Sequence, residues 1–211
     1  MKTIAGIDEA GRGCIIGPLV VAGISILEVK IEKLKELGVR DSKKLNAFKR
    51  EILSKEIEKI SDKIFYFELN PLVIDEVVFR GVRFHRLNYL EAMAMARIIR
   101  DLEPDIAYVD SLDLFPHRFS MQILRVLRRK PELICEHKAD EKYPIVSAAS
   151  ILAKVRRDRR VAELREKYGD FGSGYPSDKK TLSFLADWLK CNQKDSKFIR
   201  HSWKTLKKLK F

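Results

Sequence analysis

TIAGIDEAGRG, residues 3–13, joins a strand-like run to an acidic, glycine-rich turn near the start of the chain. The apolar and β-branched residues from Thr3 to Asp8 are typical of a buried strand. The run ends on two adjacent carboxylates, Asp8 and Glu9, just before a turn that contains Gly11 and Gly13. Adjacent strand residues point to opposite faces, so both acids can reach one site only if the strand ends or bends there. Glycines permit such a bend and let the backbone approach a ligand closely.

Beyond this stretch, the hydrophobic pattern alternates between strand and helix periods. Further strands are predicted at residues 17–27, 63–69, 105–110 and 133–137. Helices are predicted at residues 29–37, 47–60, 84–101, 116–129 and 145–168. This order indicates an α/β fold with a central mixed sheet flanked by helices. We expect one catalytic domain at residues 1–178 and a basic helical extension at residues 179–211 that packs on it.

The composition is that of a folded protein, with 45% hydrophobic and 34% charged residues in 211. No stretch approaches the ~18 apolar residues that a membrane span requires, so no membrane association is expected. Acidic residues near the N-terminus argue against a secretory signal, which predicts a cytoplasmic protein. Cys14, Cys135 and Cys191 have the spacing of neither a disulfide framework nor a zinc site and are expected to be small, mostly buried side chains.

The net charge of +12 indicates a partner that carries many negative charges, with nucleic acid as the leading candidate. Surfaces rich in lysine and glutamate also occur in heat-adapted proteins, which is the alternative explanation. Residues 179–211 contain ten lysine or arginine residues, two acidic residues, and Trp188, Phe198 and Trp203. These aromatic side chains could pack on the main domain with the lysines in water, or the segment could contact nucleic acid directly.

Two further aspartates, Asp110 and Asp140, stand at the ends of other predicted strands. Any one of these acids alone fits a solvated turn residue equally well, but strand ends at one edge of a sheet converge. Clustered carboxylates repel one another unless cations lie between them, and their hard oxygens suit Mg²⁺ or Mn²⁺. We therefore predict a two-metal site formed by Asp8, Glu9, Asp110 and Asp140. Asp158 lies among arginines and is predicted to form ion pairs instead.

Six motifs resemble, in the same order, those of the type 2 ribonucleases H, the ribonuclease HII family. They are residues 6–13 with 16–20 (GIDEAGRG and IGPLV), 41–45 (DSKKL), Asp110, 137–140 in the archaeal form (HKAD), 147–158 (SAASILAKVRRD) and 172–178 (GSGYPSD). The resemblance extends over essentially the whole chain. One departure is Cys14, which stands where the family usually has proline.

The resemblance implies the ribonuclease H-like fold and an endonuclease that hydrolyses the RNA strand of RNA/DNA hybrids. It also implies cleavage at ribonucleotides embedded in duplex DNA, with 3′-hydroxyl and 5′-phosphate ends and a role in DNA replication and repair. Asp8, Glu9, Asp110 and Asp140 would be the catalytic ligands of two Mg²⁺ or Mn²⁺ ions. Two such ions activate the attacking water and stabilise the leaving oxygen.

By the same resemblance, the backbone of Gly11, Arg12 and Gly13 and the ring of Tyr175 would read the ribose. The alternative for Tyr175 is an aromatic residue that merely anchors its loop. The remaining substrate-binding candidates are Lys43, Lys44, Ser147 and Lys154. Arg12 and the three lysines are candidates for phosphate contacts, with a solvated surface role as the alternative.

Two other functions remain open. A junction resolvase or recombinase of the same broad fold would share the carboxylates and metal, although Arg12 and Tyr175 in their motifs argue against it. A non-catalytic nucleic-acid-binding module would suit the basic C-terminal segment equally well. The C-terminus lacks the glutamine, aliphatic and paired aromatics of a sliding-clamp box, so clamp binding is not predicted. We expect a monomer.

Overall fold

The computed structural model describes residues 1–39, 45–81, 87–191 and 196–208. Within them, a mixed five-stranded sheet has the order β3-β2-β1-β4-β5. The strands are β1 (Thr3–Ala10), β2 (Leu19–Leu27), β3 (Lys63–Leu69), β4 (Ile106–Asp110) and β5 (Glu132–Glu136). Strand β2 runs antiparallel to β1 and β3, whereas β4 is parallel to both β1 and β5. The predicted mixed sheet is confirmed.

The described helices flank this sheet, and capping residues mark the ends of some of them. They are α1 (Ile31–Glu36), α2 (Ala47–Ile60), α3 (Pro71–Arg80), α4 (Leu87–Leu102), α5 (Pro116–Val126), α6 (Ala139–Lys142), α7 (Pro144–Tyr168), α8 (Lys179–Cys191) and α9 (Lys204–Lys208). The side chains of Asn46 and Asn70 accept hydrogen bonds from the backbone of the first turns of α2 and α3. Helix α3 ends at Gly81, whose φ of 61° is left-handed.

Strand β1 is buried on both faces, which explains its apolar residues. Ala5 and Ile7 belong to a cluster with residues of α4 and α5, whereas Ile4 belongs to a second cluster with residues of α7. At Gly6, a Cβ atom would lie 2.2 Å from the carbonyl oxygen of Ile145. The start of α7 therefore lies directly against the middle of β1.

The aromatic side chains of the C-terminal segment pack internally. Phe198 and Leu185 share a hydrophobic cluster with Ile15 and Ile16 of the loop between β1 and β2. The ring of Trp188 stacks on Phe184, with 5.5 Å between the ring centroids. These rings therefore pack against the protein, and the basic side chains around them are the part of the segment that could contact nucleic acid.

The structure differs from the sequence-based expectations in several details. Strand β1 does not end at Asp8 but continues to Ala10, because its pairing with β2 extends to Val20. Helix α5 ends at Val126 rather than at residue 129, and the following residue is extended. Cys14 is buried as expected, but Cys191 is exposed.

None of the helices formed by the described residues is long and apolar enough to span a membrane.

Candidate active site

Asp8 and Asp110 lie side by side because the two strands that carry them are parallel neighbours. Ile7 of β1 is in register with Val109 of β4, and each aspartate follows directly. Asp8 is only 4% exposed. Its Oδ1 atom accepts a 2.7 Å hydrogen bond from the amide of Glu9. Parallel register thus places both carboxylates at the same edge of the sheet.

Asp140 reaches this edge through a tight turn. The sequence had suggested instead that it stands at the end of a strand. The turn contains Lys138, whose φ of 55° is left-handed, and Asp140 lies in the short helix α6 that follows. The amide of Ala139 donates a 2.7 Å hydrogen bond to Oδ1 of Asp110. The buried hydroxyl of Ser147 donates to the carbonyl oxygen of Asp140. Asp110 and Ser147 therefore hold this turn from two sides.

The four predicted carboxylates form one electrostatic cluster. Burial raises the pKa of Asp8 to about 7, and the charges of Asp110 and Asp140 contribute, while a hydrogen bond from Ser150 opposes the rise. Burial also raises the pKa of Glu9 well above its usual value, with Asp8 among the charges that contribute. Without a cation, burial and mutual repulsion therefore favour the protonated forms of Asp8 and Glu9.

The donor set of this cluster fits a divalent cation. Oε2 of Glu9 is buried and has no hydrogen-bond partner within the described part of the chain. A buried carboxylate oxygen without a partner is costly unless a cation or a donor compensates it. In residues 1–39, 45–81, 87–191 and 196–208, no three acidic, histidine or cysteine side chains already surround one point as metal ligands would. Hard carboxylate oxygens are nevertheless the ligands that Mg²⁺ and Mn²⁺ prefer.

Glu9 also borders a polar network on α4. Because β1 continues past Asp8, the side chain of Glu9 points to the opposite face of the strand from that of Asp8. The charge of Glu91 contributes to the raised pKa of Glu9. The guanidinium of Arg12 donates to Oε2 of Glu91 at 2.6 Å and to Oδ1 of Asn88 at 2.7 Å. Burial raises the pKa of Glu91 to about 7 against the effect of Arg12. In this geometry the Arg12 side chain forms an internal ion pair, so the predicted phosphate contact would compete with Glu91.

Tyr175 lies against the glycine-rich turn between β1 and β2. A Cβ atom at Gly13 would lie 3.7 Å from the tyrosine ring. The Arg157 guanidinium lies 4.9 Å from the ring centroid, and its Nη2 donates to the phenol oxygen at 3.2 Å. Burial raises the pKa of Tyr175 to about 12, with the nearby Cys14 thiol also contributing. The phenol is therefore neutral at physiological pH.

The sequence profile of the family described as Ribonuclease HII matches residues 5–206. The chain belongs to the ribonuclease HII family. It is accordingly a ribonuclease H, an endonuclease of a family that generally depends on divalent metal ions and acts on RNA/DNA hybrids.

Individual relatives agree with this assignment. A Ribonuclease HII from Thermococcus sibiricus is 46% identical over 208 residues, which cover 98% of this chain and 90% of the relative. The crystal structure of the ribonuclease H2 from Pyrococcus horikoshii OT3 superposes with a TM-score of 0.90 at 44% identity, covering 98% of this chain and 96% of that one. RNase HII from Archaeoglobus fulgidus, solved as a complex with PCNA, gives a TM-score of 0.87 at 44% identity, covering 99% and 97%. The ribonuclease H-like fold is confirmed.

The other residues predicted to contact the substrate of this ribonuclease HII lie either on α7 or outside the described part of the chain. Lys43 and Lys44 lie outside the described residues. Lys154 is partly buried on α7 and follows Ser147 by two helical turns. Asp158 pairs with Arg50 at 3.3 Å, which confirms the predicted ion pair.

Two site residues escaped the sequence-based reasoning. Ser150 hydrogen-bonds to Asp8, and Glu91 pairs with Arg12. Ser150 lies three residues after Ser147 on the same helix, so the i, i+3 spacing of two serines on one face could have indicated it. Glu91 is a fully buried acid among the apolar residues of α4. An acidic residue on an apolar helix face is the signal that could have indicated Glu91.

Proposed function

We propose that this ribonuclease H cuts both RNA/DNA hybrids and single ribonucleotides embedded in duplex DNA, leaving 3′-hydroxyl and 5′-phosphate ends. Asp8, Glu9, Asp110 and Asp140 would hold two Mg²⁺ or Mn²⁺ ions. The observation that carries the proposal is the carboxylate cluster, in which burial, together with like charges, raises the pKa of Asp8 and Glu9 although the whole protein has a net charge of +12. Bound cations would favour the charged forms of these carboxyls at neutral pH.

The protein's own contribution is to hold the carboxylates in place. When bound, divalent ions would supply activation of water and stabilisation of the leaving oxygen. Asp8 is the central ligand in this proposal, since the charges of both Asp110 and Asp140 act on it. The amide of Ala139 orients Asp110, and Ser147 secures the turn of Asp140. Ser147 would thus act on the substrate indirectly, through a metal ligand.

Recognition of the ribose is assigned to Gly11, Arg12, Gly13 and Tyr175. A protein distinguishes RNA from DNA by the 2′-hydroxyl, which both donates and accepts hydrogen bonds. Main-chain groups can read it only if the backbone comes within ~3 Å. Gly13 is exposed and borders the ring of Tyr175, so the backbone and the ring line the same surface. This adjacency supports a joint role in reading the sugar.

A cleavage assay on three matched duplexes tests the proposed function. The duplexes are all-DNA, DNA with one ribonucleotide, and an RNA/DNA hybrid, each incubated with Mg²⁺, Mn²⁺ or EDTA. We expect metal-dependent cleavage of the second and third only, with 5′-phosphate ends identified by ligation. Equal cleavage of all-DNA would indicate a resolvase-like nuclease, and binding without cleavage would indicate a non-catalytic module. Calorimetric titration with the metal tests the number of ions.

The two glycines of the turn are expected to respond differently to alanine. Gly11 has a φ of 85°, and its Cβ would lie 2.7 Å from the carbonyl oxygen of Pro18. Gly11→Ala should therefore destabilise the fold by about 1–3 kcal/mol. Nothing internal obstructs a Cβ at Gly13, because the ring of Tyr175 is at ordinary contact distance. Gly13→Ala should keep the parent's thermal stability and lose roughly tenfold or more of cleavage, because a methyl group would obstruct the ribose.

Thermal unfolding and cleavage rates of both alanine variants check these expectations. Parent-like cleavage by a folded Gly13→Ala variant would contradict the close approach of the backbone to the sugar.

Partners beyond the substrate remain predictions. The Archaeoglobus fulgidus relative was solved with PCNA. We propose that this enzyme acts as a monomer. Clamp binding is not predicted, because residues 179–211 lack the spaced combination of glutamine, aliphatic and paired aromatic residues of a sliding-clamp box. Size-exclusion chromatography of the enzyme alone and mixed with an archaeal clamp tests both points. A co-eluting complex would contradict the second.

A further inference from the structure

Arg200 has the largest fully buried side chain in the described part of the chain, with a relative exposure of 0%. Its guanidinium donates to three backbone carbonyl oxygens of the turn and the residues after it. The acceptors are Gly17 at 3.0 Å, Arg12 at 2.8 Å and Gly11 at 2.8 Å. Burial lowers the pKa of Arg200 to about 10, so the guanidinium stays charged at neutral pH. Charged donors form the stronger class of hydrogen bond.

The segment that carries Arg200 is itself fixed on both sides. Before it, Ile199 forms a β-bridge with Ile16, and the amide of Arg200 donates to Ile15. After it, the buried Asp75 of α3 accepts hydrogen bonds from the amides of the next two residues and from the hydroxyl of Ser202. The guanidinium is therefore held at a defined position beneath the turn.

This arrangement fixes the direction of two successive peptide groups. All peptide bonds in the described residues are trans. In a trans peptide, the carbonyl and the N–H of the following residue point in opposite directions. Because the carbonyls of Gly11 and Arg12 point to Arg200, the amides of Arg12 and Gly13 point away from it. Neither amide donates to another atom in the described ranges, and Gly13 is exposed.

We propose that Arg200 is the positioning residue for ribose recognition, which fixes the Gly11–Arg12–Gly13 backbone so that two adjacent N–H donors face the substrate. This inference rests on the proposed role of the turn in reading the sugar. It also assigns a function to the C-terminal segment: the segment contributes to selectivity for RNA from beneath the turn, without touching the nucleic acid at this residue.

The test uses the full-length protein with Arg200→Lys, which keeps the charge but replaces the planar fork with a single ammonium group. Two quantities are measured. The first is the ratio of affinities for duplex DNA with and without one ribonucleotide, determined in EDTA so that no cleavage occurs. The second is the ¹⁵N relaxation of the Arg12 and Gly13 amides in the free protein. We expect the affinity ratio to fall about tenfold or more and both amides to become mobile, with all-DNA affinity unchanged.

Ser202→Ala is the matched control, because it removes one hydrogen bond to Asp75 from the same segment and leaves Arg200 in place. It should lower the melting temperature slightly and preserve both the affinity ratio and the amide relaxation. If Ser202→Ala reduces the ratio as much as Arg200→Lys, general loosening of the segment explains the loss and the proposal is overturned. Unchanged relaxation in Arg200→Lys also overturns it.

The affinity ratio of the parent protein separates this proposal from the proposed function. If the parent protein shows no preference for the ribonucleotide, ribose reading by the turn is wrong, and the role of Arg200 in ribose recognition is overturned with it. If the parent shows the preference and Arg200→Lys retains it, only the role of Arg200 is wrong. Arg200→Gln serves as a second variant, and failure of both to fold would show that Arg200 supports the fold as a whole, contrary to the proposal.

Discussion

Asp8→Asn is expected to reduce cleavage by at least about a thousandfold, because it removes the charge of the proposed central metal ligand with almost no change in volume. The asparagine oxygen can still accept the hydrogen bond that Asp8 accepts from the amide of Glu9. The local geometry should therefore persist. Single-turnover cleavage of a duplex with one ribonucleotide measures the loss, and circular dichroism verifies the fold. Glu9→Gln, Asp110→Asn and Asp140→Asn should also lose orders of magnitude.

The same substitution is expected to make the metal-free protein more stable. Burial and neighbouring charges raise the pKa of Asp8 from 3.8 to about 7. Stability that depends on the protonated carboxyl is therefore fully present below about pH 4 and is lost as the pH rises through about 7. Asp8→Asn removes that loss, which amounts to roughly 2–4 kcal/mol at pH 8. Melting temperatures in EDTA between pH 5 and pH 8 measure the difference.

Asp158→Asn is the matched control for the first prediction, since this carboxylate pairs with Arg50. It should retain most activity and gain no stability. Near-parental cleavage by Asp8→Asn would refute the assignment of the metal site, and an unchanged melting temperature in EDTA would refute the electrostatic account of the cluster.

Tyr175→Ala is expected to lose about a hundredfold of cleavage at a single embedded ribonucleotide while retaining affinity for the duplex. The ring would pack on the sugar, and alanine removes it. Tyr175→Phe should lose less than about tenfold, because it keeps the ring beneath the Arg157 guanidinium and loses only the hydrogen bonds of the phenol. Cleavage rates and equilibrium binding of both variants check this order.

A control residue on helix α8 that holds the same loop separates ribose reading from simple anchoring. The Thr181 hydroxyl accepts from the amide of Gly174 at 3.0 Å and donates to the carbonyl of Phe171 at 2.8 Å. Thr181→Val should therefore loosen the loop and lower the melting temperature while preserving the preference for ribonucleotides. If Tyr175→Ala behaves like Thr181→Val, the tyrosine is a loop anchor and discrimination lies elsewhere.

Local sequence patterns were sufficient to predict many of the secondary-structure elements and the protein family. Helix α2 (Ala47–Ile60) and strand β3 (Lys63–Leu69) have the predicted bounds, because their periodicity and flanking residues act over a few positions. The order of short motifs indicated the ribonuclease HII family, since acidic side chains at the ends of predicted strands leave a recognisable sequence. Asp8 and Asp110 could be expected at one edge of the sheet for the same reason.

Contacts between distant segments required the folded chain. Arg12 pairs with Glu91, 79 positions away, and Arg200 holds the carbonyl of Arg12 across 188 positions. No local periodicity encodes such pairs, because their energies depend on burial and direction, which exist only after the sheet and helices have packed. The turn of Asp140 likewise depends on an amide that bonds to Asp110, 29 positions earlier. The residue types of the site are therefore readable in the sequence, whereas their orientation and charge state arise from tertiary packing.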